Sequence, residues 1–257
     1  MRFLSLFALL LFALPAAAQD DAYRDSRARE LVRLARARRA IVDNRITAYE
    51  VTAHERISAR MAVLGIERLL FRRETAARIN WNRDTVRIEL LGAREAVPVV
   101  SANAQLPSPD VASSVTALAF DPADSEMLIR LDSTSIRNPL APGSEAHYRF
   151  SGGDSLTIRI PGGRMVRILE LRIAARRADP RLINGSFWLD SETHAVVRAG
   201  FRQSRAYTSR AGGISALAPE VSGELDYVAI DYGLWARRWW LPRTVVARGV
   251  ARVGGTR

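Results

Sequence analysis

The stretch INGSFWLDSETHAVVRAGFR, residues 183–202, places Asp190, Glu192 and His194 at alternate positions. Carboxylates and an imidazole this close together suit a metal site or an acid/base pair. A metal would need further imidazole or carboxylate ligands in fixed geometry. The other two histidines, His54 and His147, lie far away in sequence. The flanking residues favour a simpler reading. Phe187 and Leu189 project to one face, Val197, Ala199 and Phe201 form a matching apolar series, and the turn formers DSET lie between them. This spacing predicts a hairpin with its acids at a solvated tip and no metal site.

Other chemistry finds little footing. No nucleophile elbow, HExxH helix, phosphate-cradling loop or dinucleotide fingerprint occurs. SGGDSLT, residues 151–157, lacks the strand and helix that must bracket a phosphate loop and reads as a turn. Asp226 and Asp231 are a candidate carboxylate pair, but nothing in the sequence shows that they converge. Cysteine is absent, which excludes disulfides, zinc-thiolate sites and thiol nucleophiles. The expectation is a protein that is not an enzyme and carries no cofactor, with an envelope hydrolase as the minor alternative.

The chain has 257 residues and a net charge of +11, and all 38 of its basic residues are arginine. Such a surface suits anionic partners. Residues 1–18, with Arg2, an apolar run and a small-residue end, read as an export signal, so phosphate-bearing lipid is favoured over nucleic acid. The segment DYGLWARRWWLPR sets Tyr232, Trp235, Trp239 and Trp240 around Arg237 and Arg238. Aromatic rings beside basic groups favour bilayer interfaces. The competing reading is a strand pair whose indoles pack on neighbouring strands. The candidate membrane-interface residues are therefore Trp235, Arg237, Arg238, Trp239 and Trp240.

Strands must position these groups. Residues 19–45 contain a basic amphipathic helix over 26–43, with Leu31, Leu34, Ala35, Arg38 and Ile41 on one face, expected to dock on the domain's own core. From Tyr49 the period becomes two: Tyr49, Val51, Ala53 and Ile57 alternate with Glu50, Thr52, His54 and Arg56, and Val86, Ile88 and Leu90 repeat the pattern. Residues 93–127 interrupt it with four prolines, and Ser108, Pro109 and Asp110 predict a short inserted helix. Strand patterns then resume, with a hairpin at Pro161-Gly162-Gly163 and further pairs to the end of the chain. The domains expected are a signal at 1–18, a helix at 19–45 and a sheet-dominated domain over 46–257. The expected fold class is α+β.

Three segments in order, NPLAPGSEAHYRF, INGSFWLDSETHAVVR and LDYVAIDYGLWARRWWLPR, resemble the middle region of an uncharacterised family of bacterial outer-membrane-associated proteins. In that family a periplasmic sheet-rich region leads into a C-terminal barrel. The GxFWLD hairpin and the later WLP strand also resemble the half-barrel of the lipoprotein-localisation carriers, in which a curved antiparallel sheet is covered by short helices. Both resemblances imply a place in the periplasm or on the periplasmic face of the outer membrane. The family pattern would place a barrel after ARVGGTR, so the chain is either a piece of a longer protein or a free-standing periplasmic version.

A sheet that curls without closing must cover its inner apolar face, and a hydrophobic ligand can share that role with helices. The expected ligand is lipid or a lipoprotein acyl chain. The candidate lining residues are Leu69, Phe71, Ile88, Leu90, Ile168, Phe187, Leu189 and Phe201. The alternative is an interaction or structural module that docks on an outer-membrane surface or barrel.

Overall fold

A computed structural model describes residues 21–63, 66–96, 120, 127–129, 135–160, 163–210 and 220–253. The expected export signal, the helix expected around Ser108 and the residues Pro161 and Gly162 lie outside these. The described chain is mainly antiparallel sheet with one α-helix, and the sheets are not closed. It forms two compact units, one of residues 1–42 and 125–257, the other of residues 43–124.

The first unit carries helix α1 (Ser26–Arg45) as far as Val42. The Asp25 carboxylate caps its start, accepting from the Ala28 amide at 2.7 Å and from the Gly152 amide of a neighbouring strand at 2.8 Å. Ala28, Leu31, Val32 and Ala35 are buried at helical spacing. This corrects the expected face. Val32 and Ala28 point inward, while Ile41 is 45% exposed. The apolar residues around this helix fit two overlapping stripes, and docking selects the one with the smaller side chains.

Strands β6 (Tyr148–Arg159), β7 (Met165–Ala175), β8 (Ile183–Asp190), β9 (Val196–Gln203), β11 (Glu220–Trp235) and β12 (Trp239–Val253) pair as an antiparallel meander. The short β10 (Tyr207–Arg210) pairs with the start of β11. Beside them, β4 (Met127–Ile129) pairs with β5 (Ile136–Arg137). One face of the meander meets α1. Tyr148, Phe150, Leu171, Ile173, Phe187, Leu189, Ala199, Phe201, Val228 and Ile230 form a single core with the helix residues.

Two local readings change. SGGDSLT is not a turn; it lies within β6, whose register shifts between Gly152 and Ser155. Glycine is needed there, because a Cβ on Gly153 would run into the Glu170 side chain. Val197 does not share a face with Ala199 and Phe201. The β8–β9 register shifts between Trp188 and Leu189, so Val196 packs against the core under the helix and Val197 joins the opposite face.

The second unit holds β1 (Ala48–Val63), β2 (Ile66–Asn82) and β3 (Val86–Ala96) in that order. Alternation is clearest on β2, where Phe71, Arg73, Thr75, Ala77, Ile79 and Trp81 are all buried. Tyr49 stacks on its register partner Trp81 with ring centroids 5.4 Å apart. Burial raises the Glu55 carboxyl above its ordinary value, and Arg73, 3.8 Å away, opposes the shift.

Candidate functional site

The hairpin that holds Asp190, Glu192 and His194 does not bring them together as ligands. Asp190 is 2% exposed, contrary to the solvated tip expected for it. One oxygen of its carboxylate accepts from the Glu192 and Thr193 amides at 2.8 and 3.1 Å, and the other from the Trp240 indole at 3.1 Å. Those bonds offset the cost of burying the charge. Glu192 is exposed and pairs with Arg164 at 3.2 Å, and His194 takes a left-handed φ of 57° in the turn. Among the described residues no cluster of three or more His, Asp or Glu side chains is arranged to hold a metal ion.

The face of the meander opposite α1 forms a groove. Strand alternation turns Val166 and Ile168 of β7 and Trp188 of β8 away from the helix, and Trp240 of β12 packs into the same cluster. Of these, Ile168, Trp188 and Trp240 form the floor of a cavity of about 910 Å³, extended by Leu156, Ile158 and Ile160 from β6 and the segment that follows it. Gly200 leaves room for the indole: a Cβ there would lie 3.2 Å from the Trp188 ring.

The walls are charged. Arg159, Arg198 and Arg202 line the groove, together with Asp226 and Asp231. The Arg198 guanidinium lies 5.9 Å from the centre of the Trp188 ring, 3.5 Å from the Asp231 carboxylate and 3.5 Å from the Tyr227 hydroxyl. In a regular strand, residues 226 and 231 would face opposite sides. The register of β11 against β12 skips Asp226, and this bulge lets both acids line the groove. Asp226 is exposed and the Asp231 side chain is 48% exposed, so neither is desolvated as an acid/base pair would require.

The candidate acyl-chain residues separate. Leu69, Phe71, Ile88 and Leu90 belong to the second unit, where Phe71 is buried, Leu69 and Ile88 are half-buried and Leu90 is 54% exposed. Phe187 and Leu189 are sealed at 1% and 0% exposure in the core beneath α1. Ile168 belongs to the groove floor, whereas Phe201 borders the groove but packs, at 3% exposure, in the core beneath α1. Of the candidate membrane-interface residues, Trp235, Arg237 and Arg238 are exposed, Trp239 is half-buried, and Trp240 is buried at 6%. Sequence reasoning passed over Trp188 and Arg198 as groove residues. Their signal was present in the alternation: Trp188 sits between two core residues and therefore faces the other side.

A second concavity, of about 590 Å³ in the second unit, is lined by Glu55, Arg56, Glu74 and Arg94 together with Thr75, Ala76 and Leu91. Glu74 binds Arg72 at 2.5 Å and Arg56 at 2.8 Å and also contacts Arg94. Its hydrogen bonds to Arg72 and then Arg94 hold the carboxyl at about 2. Glu74 is thus satisfied by its arginines, and the groove of the first unit, with its larger volume and aromatic floor, is the better ligand site. Comparison of the chain with protein families, curated proteins and solved structures finds no match.

Proposed function

We propose that this is an exported envelope protein, non-enzymatic, which binds a lipid or lipoprotein acyl chain in the groove between β6 and β12. The observation that carries the reading is the pairing of an apolar floor, Ile168, Trp188 and Trp240, with arginine walls in one cavity of about 910 Å³. That size lies in the range of small-molecule sites. The arrangement suits an amphiphile whose chain lies on the floor and whose anionic head meets Arg198, Arg202 or Arg159.

The same reading takes the meander as a curved, half-open wall. The Trp240 indole bonds to Asp190 across three interstrand steps, from β12 to β8. In a flat sheet those strands would lie roughly 14 Å apart. A direct bond supports a sheet that curls towards the groove.

The test is quenching of tryptophan fluorescence by a brominated fatty acid, with lipids extracted from the purified protein identified by mass spectrometry. Wild type should be quenched at the micromolar concentrations usual for such sites. Trp188→Phe should lose most of that quenching, and Ile168→Glu should abolish binding. Purified protein free of lipid, with quenching unchanged in both variants, would remove the reading.

A further inference from the structure

We propose that the tip of the β11–β12 hairpin, braced by helix α1, docks the protein on a bilayer surface rich in anionic lipid. The inference concerns a different surface from the groove and does not rest on it.

The tip is unusual in its backbone. The Arg238 amide donates to the Trp235 carbonyl at 2.9 Å, closing a four-residue turn whose central residues, Ala236 and Arg237, have φ of 48° and 54°. Hairpin turns with two left-handed residues ordinarily use Asn-Gly or similar pairs, because side chains with a Cβ disfavour that region. Here the turn sacrifices that preference and presents arginine at the outermost point of the hairpin. Conformational strain of this kind concentrates where a site requires it.

The side chains are braced. Trp239 has the Arg38 guanidinium of α1 at 5.3 Å and that of Arg238 at 4.7 Å from its ring centre. Arg38 also donates to the Arg238 carbonyl at 3.0 Å, so the helix fixes the hairpin end. Trp235 remains 47% exposed. One turn beyond Arg38, on the same side of α1, Ile41 is 45% exposed.

Charge identifies the partner. Several other arginines of this unit pair with acids, as in Arg33 with Glu30, Arg164 with Glu192 and Arg172 with Glu170. Among the described residues no carboxylate pairs with Arg38, Arg237 or Arg238. Three uncompensated guanidiniums beside an exposed indole match the headgroup layer of an anionic leaflet, where cations meet phosphate and indoles settle at the interface.

The test is co-sedimentation of the full chain with vesicles of phosphatidylcholine alone and of phosphatidylcholine with phosphatidylglycerol in equal parts. Binding is expected to the mixed vesicles only and should weaken as salt is raised. Arg237→Asn combined with Arg238→Gln removes two charges and should weaken binding about thirtyfold; asparagine tolerates the left-handed turn. Trp235→Ser should remove the blue shift of emission that accompanies binding. Circular dichroism of each variant in the aromatic region verifies the fold. Equal binding to neutral vesicles, or wild-type binding by the folded double variant, overturns the proposal. The groove variant Ile168→Glu should bind vesicles as wild type does; loss of binding there would assign the contact to the groove and also overturn it.

Discussion

The indole of Trp240 and the carboxylate of Asp190 form a buried hydrogen bond between β12 and the β8–β9 turn, 50 residues apart in sequence. Asp190 also holds that turn through two backbone amides, so one side chain joins local turn geometry to the distant strand that closes the end of the groove. Asp190→Asn retains an acceptor for the amides but turns an N–H towards the indole N–H. Leaving buried donors opposed costs about 2 kcal/mol. Asp190→Ala should cost more, and Trp240→Phe less, because phenylalanine keeps most of the packing. Chemical denaturation of the three variants orders them, and an Asp190→Asn protein as stable as wild type would show that the bond contributes nothing.

Gly185 of β8 pairs with Phe201 of β9. A Cβ there would meet the Gly200 carbonyl oxygen and lie 2.6 Å from the Phe201 Cα, both backbone atoms that cannot swing aside. Gly185→Ala is expected to lose about 3 kcal/mol, since overpacking against backbone forces the strands apart. Gly223→Ala on β11 is the control, because nothing lies within 4 Å of a Cβ there. Thermal unfolding of both variants checks the contrast.

The alternation that placed strands from Tyr49 onward is legible where a strand has one drier face, as β2 does from Phe71 to Trp81, and it holds in β3 even though Val86 and Leu90 of its apolar series stay exposed. What the alternation could not show was where it slips. The register shifts beside Leu189 and at Asp226 each move a side chain to the other face, and no residue type announces them. Hence Val197 was assigned to the wrong side, and nothing showed that Asp226 and Asp231 share one side. The helix face was misjudged for a related reason: Leu31 and Ala35 belong to either stripe, and only the partner surface decides between Val32 and Ile41. Apolarity alone does not point to the groove in β8, because its most apolar residues, Phe187 and Leu189, are the ones the helix covers, and Trp188 between them faces the groove.

Glu145 ties three parts of the first unit together. Arg36 of α1 donates to it at 2.6 Å, as does the Tyr23 hydroxyl at 2.6 Å. Burial pushes the carboxyl up, but the Arg36 and Tyr23 hydrogen bonds outweigh it and hold the group at about 2, against an ordinary 4.5. A depressed carboxyl stabilises the fold fully above its unfolded value, and that stability is lost as pH falls from about 4.5 towards 2. Discounted for partial solvent screening, the contribution is about 2 kcal/mol. Glu145→Gln should lower the melting temperature at pH 7 and converge on wild type near pH 2. Curves that stay parallel across that window would show that the clasp does not titrate.

Ala236 provides the last expectation, because its strain can be relieved without touching a charge. With φ at 48° it holds a conformation that costs an L-residue about 1 kcal/mol or more, and glycine adopts it freely. Ala236→Gly gives back part of this gain through the greater freedom of glycine in the unfolded chain. The net expectation is a stabilisation of about 0.5 kcal/mol, read as a higher denaturation midpoint with an unchanged slope. If the hairpin tip is a docking surface, this variant should bind anionic vesicles as wild type does, since Arg237, Arg238 and Trp235 are untouched. Arg237→Gly should relieve similar strain while removing a charge, so it should gain stability and weaken vesicle binding about fivefold. Opposite movement of those two readings in one variant would distinguish a turn strained to present arginine from one strained by packing alone.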